Sequence, residues 1–86
     1  MANVVITGST KGVGRGLADA FAQLGHNVVI SSRRQADIAT VTREMNKKYE
    51  GQIIGQVCDI SDKKQLEALW DLAKTEFGSV DYWINN

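Results

Sequence analysis

Proline is absent from this sequence, and so is any surplus of charge of one sign. Ten Lys and Arg balance ten Asp and Glu, so no net field draws the chain to nucleic acid or to an anionic membrane. The single cysteine, Cys58, excludes an internal disulfide. With one histidine, His26, no Cys/His cluster of zinc-binding spacing exists, and no metal site is expected. No apolar run approaches the roughly 20 residues that cross a bilayer. Met1-Ala2-Asn3 leads straight into Val4-Val5-Ile6, without the basic and long apolar segments of a secretory signal. The expectation is a soluble, cytoplasmic chain. Repeats, low-complexity tracts and linker-like stretches are also missing, so the 86 residues are read as one small domain, 1–86.

What is present alternates between two kinds of segment. Short β-branched runs stand at Val4-Val5-Ile6, Val28-Val29-Ile30, Ile53-Ile54 with Val57-Cys58, and Val80 to Ile84. They are nearly continuous in hydrophobicity, as strands of a parallel sheet buried on both faces are. Between them run three stretches of helical spacing: Leu17, Ala20, Phe21 and Leu24; then Ile38, Val41 and Met45, with Tyr49 extending the stripe; then Leu66, Leu69, Trp70, Ala73 and Phe77. Gly25 and Gly78 stand where the first and third helices should end, and Ser61 or Asp62 is placed to cap the third. The order β-α-β-α-β-α-β predicts an α/β, doubly wound parallel sheet of Rossmann type with strand order 3-2-1-4. Ligands of such sheets sit beyond the carboxyl ends of the strands, where the winding reverses. The loop after Ile6 and the residues from Asn85 onward meet there.

The first of these loops is Thr7-Gly8-Ser9-Thr10-Lys11-Gly12-Val13-Gly14. Gly8 allows a tight turn out of the strand. Gly12 and Gly14 keep side chains away from a region where a pyrophosphate must approach the backbone, and the following helix offers free N–H groups and a positive dipole end. The Walker spacing fails at Val13, and Gly-x-Gly-x-x-Gly fails at Leu17. The pattern present is Thr-Gly-x-x-x-Gly-x-Gly. It resembles the cofactor loop of the short-chain dehydrogenase/reductase family. Val57-Cys58-Asp59-Ile60-Ser61-Asp62 is similar to that family's acidic motif after strand 3. Phe77-Gly78-Ser79-Val80-Asp81-Tyr82-Trp83-Ile84-Asn85-Asn86 is similar to the run into its Asn-Asn-Ala-Gly motif. The resemblance covers the whole chain, and Val4 to Gly12 with Trp83 to Asn86 looks particularly like the chlorophyll b reductase branch.

The end of strand 2 bears on the choice of nicotinamide cofactor. In a Rossmann unit an acidic residue there favours NAD, and an arginine accommodates the 2′-phosphate of NADP. Ser32 stands where the acid would be, followed by Arg33 and Arg34, with Lys11 as a second source of positive charge. NADP(H) is expected over NAD. The resemblance implies that Gly8, Ser9, Thr10, Lys11, Gly12, Val13 and Gly14 hold phosphates and that Ser32, Arg33 and Arg34 surround the adenosine ribose. It implies further that Asp59 and Ile60 hold the adenine and that Asn86 lies near the ribose, with Asn85 anchoring the loop backbone.

The family's reaction, hydride transfer between NADP(H) and a small-molecule carbonyl or alcohol, uses a serine and a Tyr-x-x-x-Lys pair. Four residues after Tyr49 and Tyr82 stand Ile53 and Asn86, so no catalytic residue is assigned. The chain is expected to be the NADP-binding half of an oxidoreductase that works as a homo-oligomer, with catalysis outside these residues and a bare, aromatic strand edge after strand 4. A stand-alone, non-catalytic NADP-binding module is the alternative.

Overall fold

The computed structural model describes residues Met1–Asn86. The elements are β1 (Asn3–Ile6), α1 (Gly12–Gln23), β2 (Asn27–Ser32), α2 (Gln35–Lys48), β3 (Ile53–Val57), α3 (Lys63–Phe77) and β4 (Tyr82–Ile84). All pairings are parallel and the sheet order is β3-β2-β1-β4, the Rossmann-type order expected from the pattern. Val5 pairs with Val29 on one side and Trp83 on the other, and Val29 continues to Ile54.

The valine and isoleucine runs explain the two-sided winding. Side chains alternate across a strand, so a continuous apolar run feeds both faces. Val4, Ile6, Val28 and Ile30 pack with Ala18 and Ala22 of α1 and with Val41 and Met45 of α2. Val5 and Val29 point the other way, onto Leu69 and Ala73 of α3 and onto Cys58. Two helices therefore cover one face and the third covers the other.

Burial along the helices departs in places from the apolar stripes. In α1 the buried positions are Gly14, Ala18 and Ala22, while Leu17 and Phe21 are half-buried and Ala20 and Leu24 are exposed. Small residues at four-residue spacing let α1 lie close on β1 and β2. Leu24 is the C-cap, already outside the last turn. Ile38, Val41 and Met45 are buried as the spacing predicts, and Tyr49 packs against the same cluster from the C-cap position. In α3 Leu69 and Ala73 hold the buried line. Trp70 is 43% exposed and leans on Trp83, with ring centroids 6.0 Å apart, rather than entering the core. Strand β4 begins at Tyr82, two residues later than the apolar run suggests, because Asp81 is held in the turn by Asn3. Their backbones bond at 2.9 Å, and Asn3 N–H donates to Asp81 Oδ2 at 2.7 Å.

Gly25 and Gly78 both adopt positive φ after their helices. Of the two capping candidates for α3 the structure selects Asp62, which accepts from the amides of Lys64 and Gln65 at 3.0 and 3.3 Å. Removing such a cap costs about 1 kcal/mol. Asp62→Ala is expected to lower the thermal midpoint by roughly 4–8 °C in a domain of this size. A midpoint unchanged in a melt followed by circular dichroism would show that the cap contributes nothing.

Candidate functional site

A cleft of about 460 Å³ opens beyond the carboxyl ends of the strands, and each strand contributes the residues just after or at its end. Gly8 follows β1, Ser32 ends β2, Cys58 and Asp59 follow β3, and Asn86 follows β4. The chain winds outward from β1 to β3 and then crosses back to β4, so the loop after β1 sits where the crossovers diverge.

Beneath the floor of the cleft lies a network of small polar groups. Ser9 is fully buried. Its hydroxyl donates to the Ile6 carbonyl at 2.8 Å and accepts from Ser31 N–H at 2.9 Å, while its own amide donates to the Ser31 carbonyl at 2.9 Å. These bonds fasten the glycine loop to the end of β2. On the other side Thr7 Oγ1 accepts from the Asn86 amide at 3.0 Å, and Asn86 Nδ2 donates to the Gly8 carbonyl at 2.9 Å. Asn86 therefore holds the loop backbone, the role expected of Asn85. Asn85 instead accepts from Trp83 Nε1 at 2.9 Å. Gly8 makes its turn at φ +59°. Gly14 is also required by the protein's own packing: a Cβ there would stand 2.1 Å from the Gly8 carbonyl oxygen and 2.6 Å from Asn86 Nδ2. Its missing side chain admits the glycine loop.

Above this floor the cleft is positive and rich in free donors. The N-cap residues of α1 and α2 are Lys11 and Arg34, neither of which supplies a side-chain cap, and α1 has no acidic residue in its first turn. Their first amides are left for an outside acceptor, and each helix dipole adds partial positive charge. By contrast α3 is capped by its own Asp62. Lys11, Arg33 and Arg34 line the cleft with Asp37 and Asp59. The hydroxyl and amide of Ser61 donate to Asp59 Oδ1 at 2.7 and 2.9 Å and hold its carboxyl below the ordinary carboxylate range, with the charge of Arg33 adding to the effect. Gln65 Oε1 fixes the Asp59 backbone by accepting its amide at 2.8 Å. Burial pushes the Cys58 thiol up, aided by the negative charges of Asp59 and Asp62, so it stays protonated and a weak nucleophile.

Of the residues singled out in the sequence, Gly8, Thr10, Lys11, Ser32, Arg33, Arg34, Asp59, Ile60 and Asn86 come together around the cleft. Ser9, Gly12, Val13 and Gly14 do not line it. Ser9 faces the core, and Val13 is 73% exposed. Asp37 lines the cleft without any advance notice in the strand-end motifs. Its one signal in the sequence is that it stands three residues after Arg34, a spacing that brings side chains together on a helix.

The family model described as short chain dehydrogenase matches residues 2–86. The chain belongs to the short chain dehydrogenase family. Among curated relatives, the chlorophyll(ide) b reductase NOL of Oryza sativa subsp. japonica, a chloroplastic protein, is 42% identical over 85 residues, which are 98% of this chain and 25% of that protein. The 3beta-hydroxysteroid dehydrogenase 1 of Eggerthella lenta is 37% identical over 83 residues, covering 96% of this chain and 32% of the relative. Among solved structures, L-sorbose reductase from Gluconobacter frateurii, complexed with NADPH and L-sorbose, superimposes with a TM-score of 0.94 at 26% identity. That match covers 99% of this chain and 32% of the reductase. Hydroxysteroid dehydrogenase from Escherichia coli gives 0.93 at 34% identity, covering 99% and 36%. The chain thus spans about a quarter to a third of the length of these short chain dehydrogenases. No helix is long and apolar enough to cross a membrane.

Proposed function

We propose that this chain forms the adenosine-phosphate side of an NADP(H) site. The whole protein is then an oxidoreductase that moves hydride between the nicotinamide and a carbonyl or alcohol carbon of a small molecule. The observation that carries the cofactor assignment is the corner at the end of β2. Ser32 occupies the strand end, Arg33 and Arg34 follow it, and Lys11 faces them from the loop after β1, all on one cleft beside the uncapped start of α1. An uncapped helix start and an open glycine turn suit a pyrophosphate, and guanidinium groups suit the 2′-phosphate. When bound, the cofactor would supply the hydride. The residues of this chain would bind and orient its adenosine end, with Asp59 and Ile60 at the adenine.

Support from relatives is strongest for the cofactor side. The sorbose reductase that this chain matches was solved with NADPH. The 42% identity to the rice reductase lies in a quarter of that protein. It therefore supports shared nucleotide binding and does not extend to the pigment that the rice enzyme's name gives as its substrate. Cell fractionation decides the compartment between the cytoplasm, expected from the sequence, and the chloroplast, where that relative is found.

Titration of the chain with NADPH and with NADH, followed by nicotinamide fluorescence, tests the assignment. NADPH is expected to bind more tightly. Raising ionic strength is expected to weaken NADPH more steeply than NADH, because added salt screens the cleft's cations from the extra phosphate. Absence of binding, or parallel salt responses of the two cofactors, would overturn the proposal.

A further inference from the structure

Lys11 and Arg34 reach the cleft from different segments, yet both approach one oxygen. Asp37 Oδ2 lies 3.9 Å from Lys11 Nζ and 4.0 Å from Arg34 Nε. The two cations are exposed, at 75% and 76%, while the carboxylate is more sheltered at 31%. Asp37 sits in the first turn of α2, where the helix dipole favours a negative charge. Three cations, Lys11, Arg33 and Arg34, thus share the cleft with two carboxylates, Asp37 and Asp59. Only one formal positive charge is left over. Ser32 removes the strand-end acid, but Asp37 returns a carboxylate to the same cleft from the neighbouring helix.

Building on the NADP(H) assignment above, we propose that Asp37 limits this cleft's preference for NADP(H) by engaging two of the three cations that a 2′-phosphate would use. The pairs are too long for hydrogen bonds, and loose pairs between exposed side chains add little to stability. The carboxylate is therefore not needed to hold the fold. Its consequence falls on the ligand. A 2′-phosphate entering the cleft takes Lys11 and Arg34 for itself and leaves Asp37 facing a like charge. The free 2′-hydroxyl of NAD(H) brings no charge and meets no such repulsion, and it is able to donate to the carboxylate. Asp37 thus raises NAD(H) relative to NADP(H).

The test is Asp37→Asn in the full chain, with dissociation constants for NADPH and NADH measured at low ionic strength. Removing one repulsive charge at the edge of an exposed site should tighten NADPH about threefold or more and leave NADH unchanged or weaker. The gain should shrink when Arg34 is also replaced, in Asp37→Asn/Arg34→Met compared with Arg34→Met alone, because one of the released cations is then gone. Equal tightening of both cofactors would overturn the proposal, and so would weaker NADPH binding, which would make Asp37 an organiser of the cations. A wild-type chain that binds neither cofactor would instead overturn the NADP(H) assignment itself.

Discussion

Gly14→Ala is expected to destabilise the chain by about 3 kcal/mol or more, the upper end of the range for overpacking a filled site. The added methyl would stand 2.1 Å from the Gly8 carbonyl oxygen, a backbone atom that has little freedom to retreat. Asn86 Nδ2 holds that carbonyl at 2.9 Å, and the adjacent Thr7 and Ser9 fasten the loop to Ile84 of β4 and to Ser31 of β2. The alternative movement is for α1 to lift off the sheet, which separates Ala18 and Ala22 from Val4, Ile6, Val28 and Ile30. A fall in thermal midpoint on the order of 10–20 °C follows from the size of the domain. NADPH binding should fall at least in proportion, because Gly8 and the start of α1 separate. Gly16→Ala is the control. It lies in the same helix, and a methyl added there would meet nothing within 4 Å, so alanine should stabilise by about 0.5–1 kcal/mol. If Gly14→Ala and Gly16→Ala shift the midpoint alike, the close approach of α1 to the glycine loop is wrong.

The second large effect concerns Arg33. It is exposed, forms no salt bridge, and borders the cleft at the end of β2. A charge-assisted contact to a phosphate contributes about 1.5–3 kcal/mol, so Arg33→Asp should weaken NADPH on the order of 10- to 100-fold. NADH should hold its affinity or gain, since the new carboxylate can accept from a ribose hydroxyl. The substitution also sets a like charge near Asp59, whose carboxyl is held down in part by Arg33. The acidity of Asp59 should therefore weaken, visible as a higher apparent pKa in carboxyl carbon NMR. Because Arg33 is exposed and forms no salt bridge, the thermal midpoint should move little. Equal loss of both cofactors would remove Arg33 from the 2′-phosphate and give it a general part in nucleotide binding.

Residue by residue, the motifs on the strand ends were legible for a physical reason. Gly8, Ser32, Arg33 and Asp59 lie within two residues of a strand terminus, and parallel topology gathers all such termini at one end of the sheet. Local pattern therefore suffices to place them on one cleft. Ser9 and Asn86 were harder. Whether their polar groups face a ligand or the protein depends on partners 22 and 78 residues away. Asp37 was missed because its part in the cleft comes from the angle at which α2 leaves β2, which brings it to Lys11 of a separate loop.

By itself the sequence determined the order of elements, the doubly wound parallel sheet, and the glycine loop beside an acid-free strand end. Each follows from short-range chemistry: β-branched runs, helical spacing, glycine at turns, and charge next to a strand terminus. Tertiary structure alone decided how deep each side chain lies and which polar group remains free. It buried Ala18 and Ala22 while leaving Leu24 and Trp70 in solvent, since periodicity reports the direction of a side chain and not the distance to the opposing layer. It turned Gly14 toward Gly8, committed Asn86 to the loop, and brought Asp37 to the cations, because those outcomes depend on distances between segments that no local pattern encodes.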